Sequence, residues 1–197
     1  MLYYSQDNPF EKNDFIPPVD IPIYLSGTFG ELRGNHFHTG IDIKTQGSVG
    51  KPILAIEDGW VSRIKVSTSG YGKALYITHP DGYLSVYGHL QMFNDTIQKV
   101  VVEKQYEKES FEVQLFFEKD ELPVRKGQVV AMSGNTGSSI GPHLHFEIRD
   151  LRSQNPLNPL LFNTIKIKPK TNRKEYTEGI LKDGINLSDV WGDISAL

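Results

Sequence analysis

The 197-residue chain contains no cysteine. Disulfide bonds and thiolate chemistry are therefore excluded, and any metal site must be built from histidine and carboxylate ligands. No apolar run approaches the roughly 20 residues that a membrane-spanning helix needs. Met1 to Phe10 also lack the basic start and the apolar stretch of a secretory signal peptide. The start of the chain predicts either a cytosolic protein or a chain from which a leader has been removed.

An excess of charge of one sign is also missing. The chain has 21 basic and 24 acidic residues, which gives a formal net charge of -3 at pH 7. Without a broad basic field, the sequence does not predict binding to nucleic acid or to anionic lipid. The hydrophobic share of 38% and the charged share of 23% are ordinary for a globular protein. The length predicts one domain, or one domain with an appendage.

Most of the chain reads as short apolar runs that are separated by turn residues, which predicts a mainly β fold with little helix. Strong turn signals lie at residues 57–59, 69–72 and 80–82. We expect an irregular N-terminal arm over residues 1–20, an edge strand within residues 21–28, and a single helical turn within residues 155–162.

Residues 94–122 differ from their surroundings because charged residues are dense there. Apolar side chains alternate between Phe111 and Phe117, and residues 97–102 are again apolar, so we predict an inserted β-hairpin with its turn near residues 107–110. The predicted organisation is thus an arm and edge strand over 1–29, a main domain over 30–164 with this inserted hairpin, and a tail over 165–197.

Two short segments carry most of the candidate chemistry. One includes His38, Gly40 and Asp42, and the other includes His143 and His145. Side chains alternate between the two faces of a strand, so each segment predicts one polar face, with Gly40 leaving room between its polar neighbours. Two imidazoles and a carboxylate on facing strands would form a three-ligand site. That number of ligands is typical of a catalytic zinc, which keeps its fourth position for water.

Other histidines and a nearby carboxylate need separate interpretation. We expect His89 to share one strand face with Tyr83, Ser85 and Tyr87. The remaining histidines, His36 and His79, lie outside the ligand spacing and are predicted to be structural or exposed. Glu147 lies two residues beyond His145, where it either supports a ligand or points outward, and we expect the outward position.

Two other kinds of site use residues of these types. Two histidines and a carboxylate also suit non-haem iron, but those sites commonly begin with a His-x-Asp pair rather than the wider spacing of this chain. The Gly-rich loop at residues 133–142 lacks the Gly-Lys-Ser/Thr ending of a phosphate-binding loop and does not open a helix. Asn135 and Thr136 of this loop are instead predicted to line a substrate groove.

Five motifs together resemble the lysostaphin-type zinc metallopeptidases, the LytM domain. They are, in order, Gly30-Glu31-Leu32-Arg33, His38-x-Gly-x-Asp42, Tyr87-Gly88-His89-Leu90, Ser133-Gly134-Asn135-Thr136-Gly137 and Gly141-Pro142-His143-Leu144-His145-Phe146-Glu147. The resemblance runs from about Gly30 to Arg149. It implies a compact antiparallel β-sheet fold, described as a sandwich or barrel, with the site in a groove between loops.

By position, the resemblance implies that His38, Asp42 and His145 bind one zinc ion. His89 and His143 match the two histidines of the family that act in catalysis without binding the metal. Family members mostly hydrolyse peptide bonds in peptidoglycan stems or cross-links, which implies peptidoglycan peptides as substrates and a periplasmic, envelope-bound or secreted location. Some relatives have lost ligands and act only as wall-binding or amidase-regulating modules, which is the alternative function.

Overall fold

The computed structural model describes residues 14–34, 36–162 and 165–167. Residues 1–13 of the predicted arm and residues 168–197 of the predicted tail lie outside this part of the chain, so the predicted domain boundaries stay predictions. The strands are β1 (Leu25–Gly27), β2 (Ile41–Lys44), β3 (Pro52–Leu54), β4 (Gly59–Val66), β5 (Lys73–Thr78), β6 (Tyr83–Gly88), β7 (Met92–Phe93), β8 (Val113–Phe116), β9 (Pro123–Val124), β10 (Val129–Met132), β11 (His143–Asp150) and β12 (Pro156–Leu157). The helices are α1 (Asp95–Glu107) and a 3-10 turn at Pro159–Leu161.

Nine of these strands form one antiparallel sheet in the order β1-β2-β11-β6-β5-β4-β8, with β12 beside β11 and β9 beside β4. The other three form a small sheet in the order β3-β10-β7. The predicted antiparallel β fold is confirmed, and β1 lies at the edge of the large sheet as expected. Within the described residues, the large sheet stays open between β1 and β8 and does not close into a barrel.

The predicted turns at residues 69–72 and 80–82 join paired strands, β4 with β5 and β5 with β6. The turn at residues 57–59 joins β3 to β4, but these two strands are not a hairpin. Both edges of β4 are already occupied, by β5 on one side and by β8 and β9 on the other. Strand β3 therefore pairs with β10 in the small sheet.

The predicted hairpin at residues 94–122 is wrong in its first half, which forms the 13-residue helix α1. Asn94 caps this helix, since its side chain accepts a hydrogen bond from the backbone N–H of Ile97 at 3.0 Å. Ile97 and Val101, four residues apart, are buried on one helix face. The many charged residues around Ile97 and Val101 made this helical spacing hard to recognise in the sequence. Within the segment, only β8 has the predicted alternation of buried and exposed residues.

The main core covers one face of the large sheet. It joins apolar side chains of β2, β4, β5, β6 and β11 to those of the small sheet and α1. The opposite face of the large sheet carries a smaller cluster made of Ala74, Tyr76, Leu84 and Val86. In the described part of the chain, neither helix is long and apolar enough to cross a membrane.

Residues 14–20 of the predicted arm pack against the main core. The ring of Phe15 is 2% exposed, stacks on Phe162 at 5.4 Å and meets the edge of Tyr83 at 5.7 Å. Tyr83 begins β6, whereas His89 follows the other end of that strand. This part of the arm therefore lies away from the histidine cluster. The predicted helical turn is confirmed as the 3-10 turn, with Asn158 as its cap.

Candidate metal centre

Strands β2 and β11 bring two of the candidate ligands together. Asp42 and His145 are direct partners in this antiparallel pair, so their side chains project from the same face. His143, two residues before His145, lies on that face too, and its Nε2 is 3.5 Å from Asp42 Oδ1. Leu144 and Phe146 are fully buried in the core on the other side. The predicted alternation along β11 is therefore confirmed.

His38 reaches the same point from a loop rather than from a strand, because β2 begins only at Ile41. Its backbone N–H donates to the carbonyl of Glu31 at 2.8 Å, which holds the loop in place.

The role that was expected for Gly40 is wrong. A Cβ at Gly40 would lie 2.2 Å from the carbonyl oxygen of Phe146, so the missing side chain lets the loop pack against β11 and does not open the site.

The donor atoms of His38, Asp42 and His145 converge. Oδ1 of Asp42 lies 3.1 Å from Nε2 of His38 and 3.0 Å from Nδ1 of His145, and the two nitrogens are 3.0 Å apart. A tetrahedral ion with bonds of about 2.0–2.1 Å separates its ligand atoms by about 3.3 Å. All three side chains are buried, where polar groups need a partner. The three donors therefore fit one metal ion.

Each donor is oriented by a partner behind it. The Nδ1–H of His38 donates to the carbonyl of Thr28 at 2.8 Å, which leaves Nε2 with its lone pair. Nη2 of Arg33 donates to Oδ2 of Asp42 at 2.9 Å, which turns Oδ1 toward the histidines. A Cβ at Gly27 would lie 2.4 Å from both of these paired atoms, so this contact requires a glycine there. The third candidate ligand is His145, whose Nε2–H donates a hydrogen bond to Oε1 of Glu147 at 2.8 Å.

Glu147 is not outward-facing as predicted but fully buried. The loop that carries Thr39 and the turn that carries Tyr71 cover it, and both hydroxyls donate to Oε1. Burial by itself would raise the pKa of Glu147, but hydrogen bonds from His145 and Arg149 outweigh burial and lower the pKa to about 2. Glu147 is therefore a carboxylate at neutral pH, and its negative charge faces the ring of His145.

Burial would likewise raise the pKa of Asp42. The three histidines that face its carboxylate, His143, His145 and His38, together outweigh burial and hold this pKa well below its usual range. Asp42 is therefore ionised, as a metal ligand must be.

His89 and His143 lie beside the donor set with their ring centroids 4.7 Å apart. The Nδ1–H of His89 donates to the carbonyl of Thr136, and the Nδ1–H of His143 donates to the carbonyl of Gly141, each at 2.8 Å. The lone pair of each Nε2 is therefore left to accept a proton. Burial lowers the pKa of His89 to about 4, which keeps this ring neutral at pH 7.

The predicted strand face holds for Tyr83, Ser85 and Tyr87, which lie on the core side of β6, but it is wrong for His89. Tyr87 belongs to the main core, and its hydroxyl accepts a hydrogen bond from the Ser85 hydroxyl at 3.1 Å. His89 comes after the end of β6 and has a φ of 58°, in the left-handed region. This backbone turn, rather than strand alternation, brings its ring to the metal face of the sheet.

The cleft above the donor set has a volume of about 380 Å³ and is lined by five histidines, including His36, together with Arg33, Tyr71, Ser139 and Ile140 among others. His79 is buried elsewhere and bonds to Ser85, which agrees with a structural role. Asn135 and Thr136 do not line the cleft. Asn135 is exposed on the neighbouring loop and stays a predicted substrate contact, whereas the Thr136 hydroxyl is engaged by Leu90 and Lys73.

The sequence analysis assigned no role to Thr39 or Tyr71, and it named Arg33 only as part of the first motif. Thr39 follows His38 directly, and Tyr71 stands between two glycines of a predicted turn, but neither position has a spacing that points to a metal site.

The buried His38, Asp42 and His145 define a candidate metal centre on an open antiparallel sheet, with the number of ligands that is typical of catalytic zinc sites. The family model of peptidase family M23 matches residues 36–159, well over half of the chain, and the chain belongs to this family.

Two curated relatives illustrate the range of the family. The DD-carboxypeptidase/endopeptidase Mpg of Neisseria meningitidis serogroup B is 33% identical over 156 residues, which cover 76% of this chain and 29% of the relative. The murein hydrolase activator NlpD of Escherichia coli is 39% identical over 134 residues, which cover 68% and 28%. The chain thus spans less than a third of the length of either relative.

Among solved structures, the chain is similar to the catalytic domain of the prophage-encoded M23 protein EnpA from Enterococcus faecalis, crystallised as a mutant. The TM-score is 0.55 and the sequences are 26% identical, over 77% of this chain and 99% of that domain. The described fold is therefore the fold of an M23 peptidase domain.

Proposed function

We propose that the protein is a zinc-dependent endopeptidase that hydrolyses peptide bonds in the stem peptides or cross-links of bacterial peptidoglycan. The observation that carries this proposal is the complete set of groups: the donor atoms of His38, Asp42 and His145 converge, and the imidazoles of His89 and His143 lie beside them. Similarity to a protein named DD-carboxypeptidase/endopeptidase supports the substrate class. Action on the wall would place the protein in the periplasm, in the envelope or outside the cell.

His38, Asp42 and His145 would hold the ion. Zinc bound there would lower the pKa of a water ligand to about 7 and would polarise a carbonyl group. The chain's own residues supply the proton transfers. His89 and His143 both line the cleft, so one accepts the proton of the attacking water on its Nε2, while the other, in its protonated form, stabilises the carbonyl oxygen or protonates the leaving amine.

A regulatory module is the second candidate function, because one relative at 39% identity is named a murein hydrolase activator. Such a module would increase cleavage by a separate hydrolase without cleaving the wall itself. An intact set of metal ligands and two oriented histidines favours the enzyme, since an activator has no use for a water-activating site.

The deciding experiment measures the zinc content of the purified chain and its digestion of purified peptidoglycan sacculi, with products identified by mass. One zinc per chain and new peptide ends would support the endopeptidase and identify the bond. Bound zinc without cleavage of sacculi or isolated stem peptides, together with stimulation of a separate murein hydrolase, would support the activator instead. Absence of zinc after zinc is supplied would contradict the proposed metal centre.

Single substitutions distinguish the histidine proposed to bind zinc from the two proposed to transfer protons. His89→Ala and His143→Ala should keep zinc but lower the turnover by about 10²–10⁴-fold, since each removes a proton-transfer group. His145→Ala should lose zinc and activity together. His79→Gln is the matched control, because this histidine lies outside the cleft, and it should keep the zinc content. Loss of zinc from the His89 or His143 variant would contradict their assignment as groups that do not bind the metal.

A further inference from the structure

Glu147 is a fully buried carboxylate directly behind the candidate metal centre. Its Oε1 accepts hydrogen bonds from Nε2–H of His145 at 2.8 Å, from the Thr39 hydroxyl at 2.6 Å and from the Tyr71 hydroxyl. Its Oε2 accepts a hydrogen bond from Nε of Arg149 at 2.6 Å. Four donors from four different residues leave this carboxylate one orientation.

That orientation fixes the ring of His145. A hydrogen bond from Nε2 to Glu147 places the imidazole proton on the nitrogen that faces away from Asp42, so Nδ1 keeps its lone pair for a metal. The ring of Tyr71 stacks on the ring of His145 at 4.7 Å, with 28° between the planes. The imidazole is therefore held both at its edge and on its face.

Glu147 also connects the chain segments that carry the other functional histidines. Thr39 follows His38 directly, so its hydrogen bond to Glu147 ties the His38 loop to β11. The backbone N–H of His89 donates a hydrogen bond to the backbone carbonyl of Tyr71 at 2.8 Å, and the hydroxyl of Tyr71 donates to Glu147. One buried carboxylate thus contacts His145 and fastens the segments of His38 and His89.

We propose that Glu147 is a positioning residue that sets the zinc affinity of the His38–Asp42–His145 centre, with the Tyr71 and Thr39 hydroxyls holding its carboxylate in place. The inference rests on the zinc site of the proposed function. It goes beyond that function because it assigns the affinity to a residue that is outside the donor set and does not line the cleft.

The test is the zinc dissociation constant of the full chain, measured by competition with a chromogenic chelator. Glu147→Gln should weaken zinc binding by about 10–100-fold, the usual loss when the partner of a ligating histidine is changed. Glu57→Gln is the matched control, since it removes a carboxylate that pairs with Lys126 far from the cleft, and it should bind zinc as the wild type does. Thermal unfolding of the zinc-free proteins checks that each variant is folded.

Imidazole NMR of the zinc-loaded protein provides a second measurement that a merely structural role would not change. The wild type should show a hydrogen-bonded proton on Nε2 of His145, and Glu147→Gln should weaken or lose this signal. Zinc affinity within about threefold of wild type, in a folded variant with an unchanged signal, would overturn the proposal.

If Glu147→Gln does not fold, the double variant Tyr71→Phe with Thr39→Val takes its place. It keeps the ring stack on His145 but removes two donors to Glu147, and it should weaken zinc binding about tenfold; unchanged affinity would overturn the proposal. A wild-type chain that binds no zinc would instead refute the proposed function. The two failures are therefore distinguishable.

Discussion

Replacing Gly40 by alanine tests how closely the loop that carries His38 must approach β11. An added Cβ would lie 2.2 Å from the carbonyl oxygen of Phe146 and 2.8 Å from Cγ of Glu147. Contacts below 3.0 Å are not tolerated by real Cβ atoms, so the loop must retreat by about 0.8 Å. Metal sites accept errors of only about 0.2 Å in their bond lengths. We therefore expect Gly40→Ala to weaken zinc binding by at least about tenfold.

The same substitution should destabilise the zinc-free protein, because the contacted atoms belong to a buried strand that cannot move aside. Overpacking of this kind costs about 1–3 kcal/mol. For a domain of this size, each kcal/mol lowers the melting temperature by about 2–4 °C. Circular dichroism melting curves of the zinc-free variant and chelator competition for zinc measure the two effects separately.

Gly34→Ala provides the matched control for this experiment. Gly34 lies in the same loop region, and a Cβ there meets nothing within 4 Å. This control should keep both the melting temperature and the zinc affinity of the wild type. If Gly40→Ala behaved like Gly34→Ala in both measurements, the close approach of the loop to β11 would not be a requirement of the site, and the reasoning would be refuted.

Two further predictions concern stability rather than the cleft. Burial lowers the pKa of His79 below its ordinary 6.5, against the opposing effects of Asp58 and Glu57. The folded state therefore binds fewer protons than the unfolded state as the pH falls through 6.5, so the urea midpoint should decrease from pH 7 to pH 5. The urea midpoint of the His79→Gln variant should decrease less over this pH range. An equal decrease in the wild type and the variant would contradict the assignment of this pH dependence to His79. Asn94→Ala removes the cap of α1 and should cost about 1 kcal/mol without changing zinc affinity. An unchanged melting temperature would show that this cap does not stabilise the protein.

Much of the candidate site could be predicted from the sequence because its signals are local. The two-residue period of a strand places His143 and His145 on one face and Leu144 on the other, whatever the strand packs against. The choice of ligand types follows from composition, since a chain without cysteine has only histidine and carboxylates for zinc. Turn chemistry at residues 69–72 and 80–82 likewise depends on neighbouring residues alone.

The inserted segment shows where local patterns were ambiguous. Ile97 and Val101 fit a helical spacing, and Asn94 followed by Asp95 is a helix-start signal, but the apolar run at 97–102 also suits a strand. Packing of one helix face onto the core decided in favour of α1.

Only the tertiary structure decided the rest. The partner of β3 depended on which edges of β4 were already occupied. His89 joins the site because the chain takes a φ of 58° after β6, which alternation does not foresee. Glu147 is buried because two loops distant in sequence bring Thr39 and Tyr71 over it. The sequence by itself determined which residue types and which strand face carry the chemistry, since these are properties of neighbouring residues. The tertiary structure determined which of these residues come into contact and which side chains cover them, because the contacts join segments up to 108 residues apart.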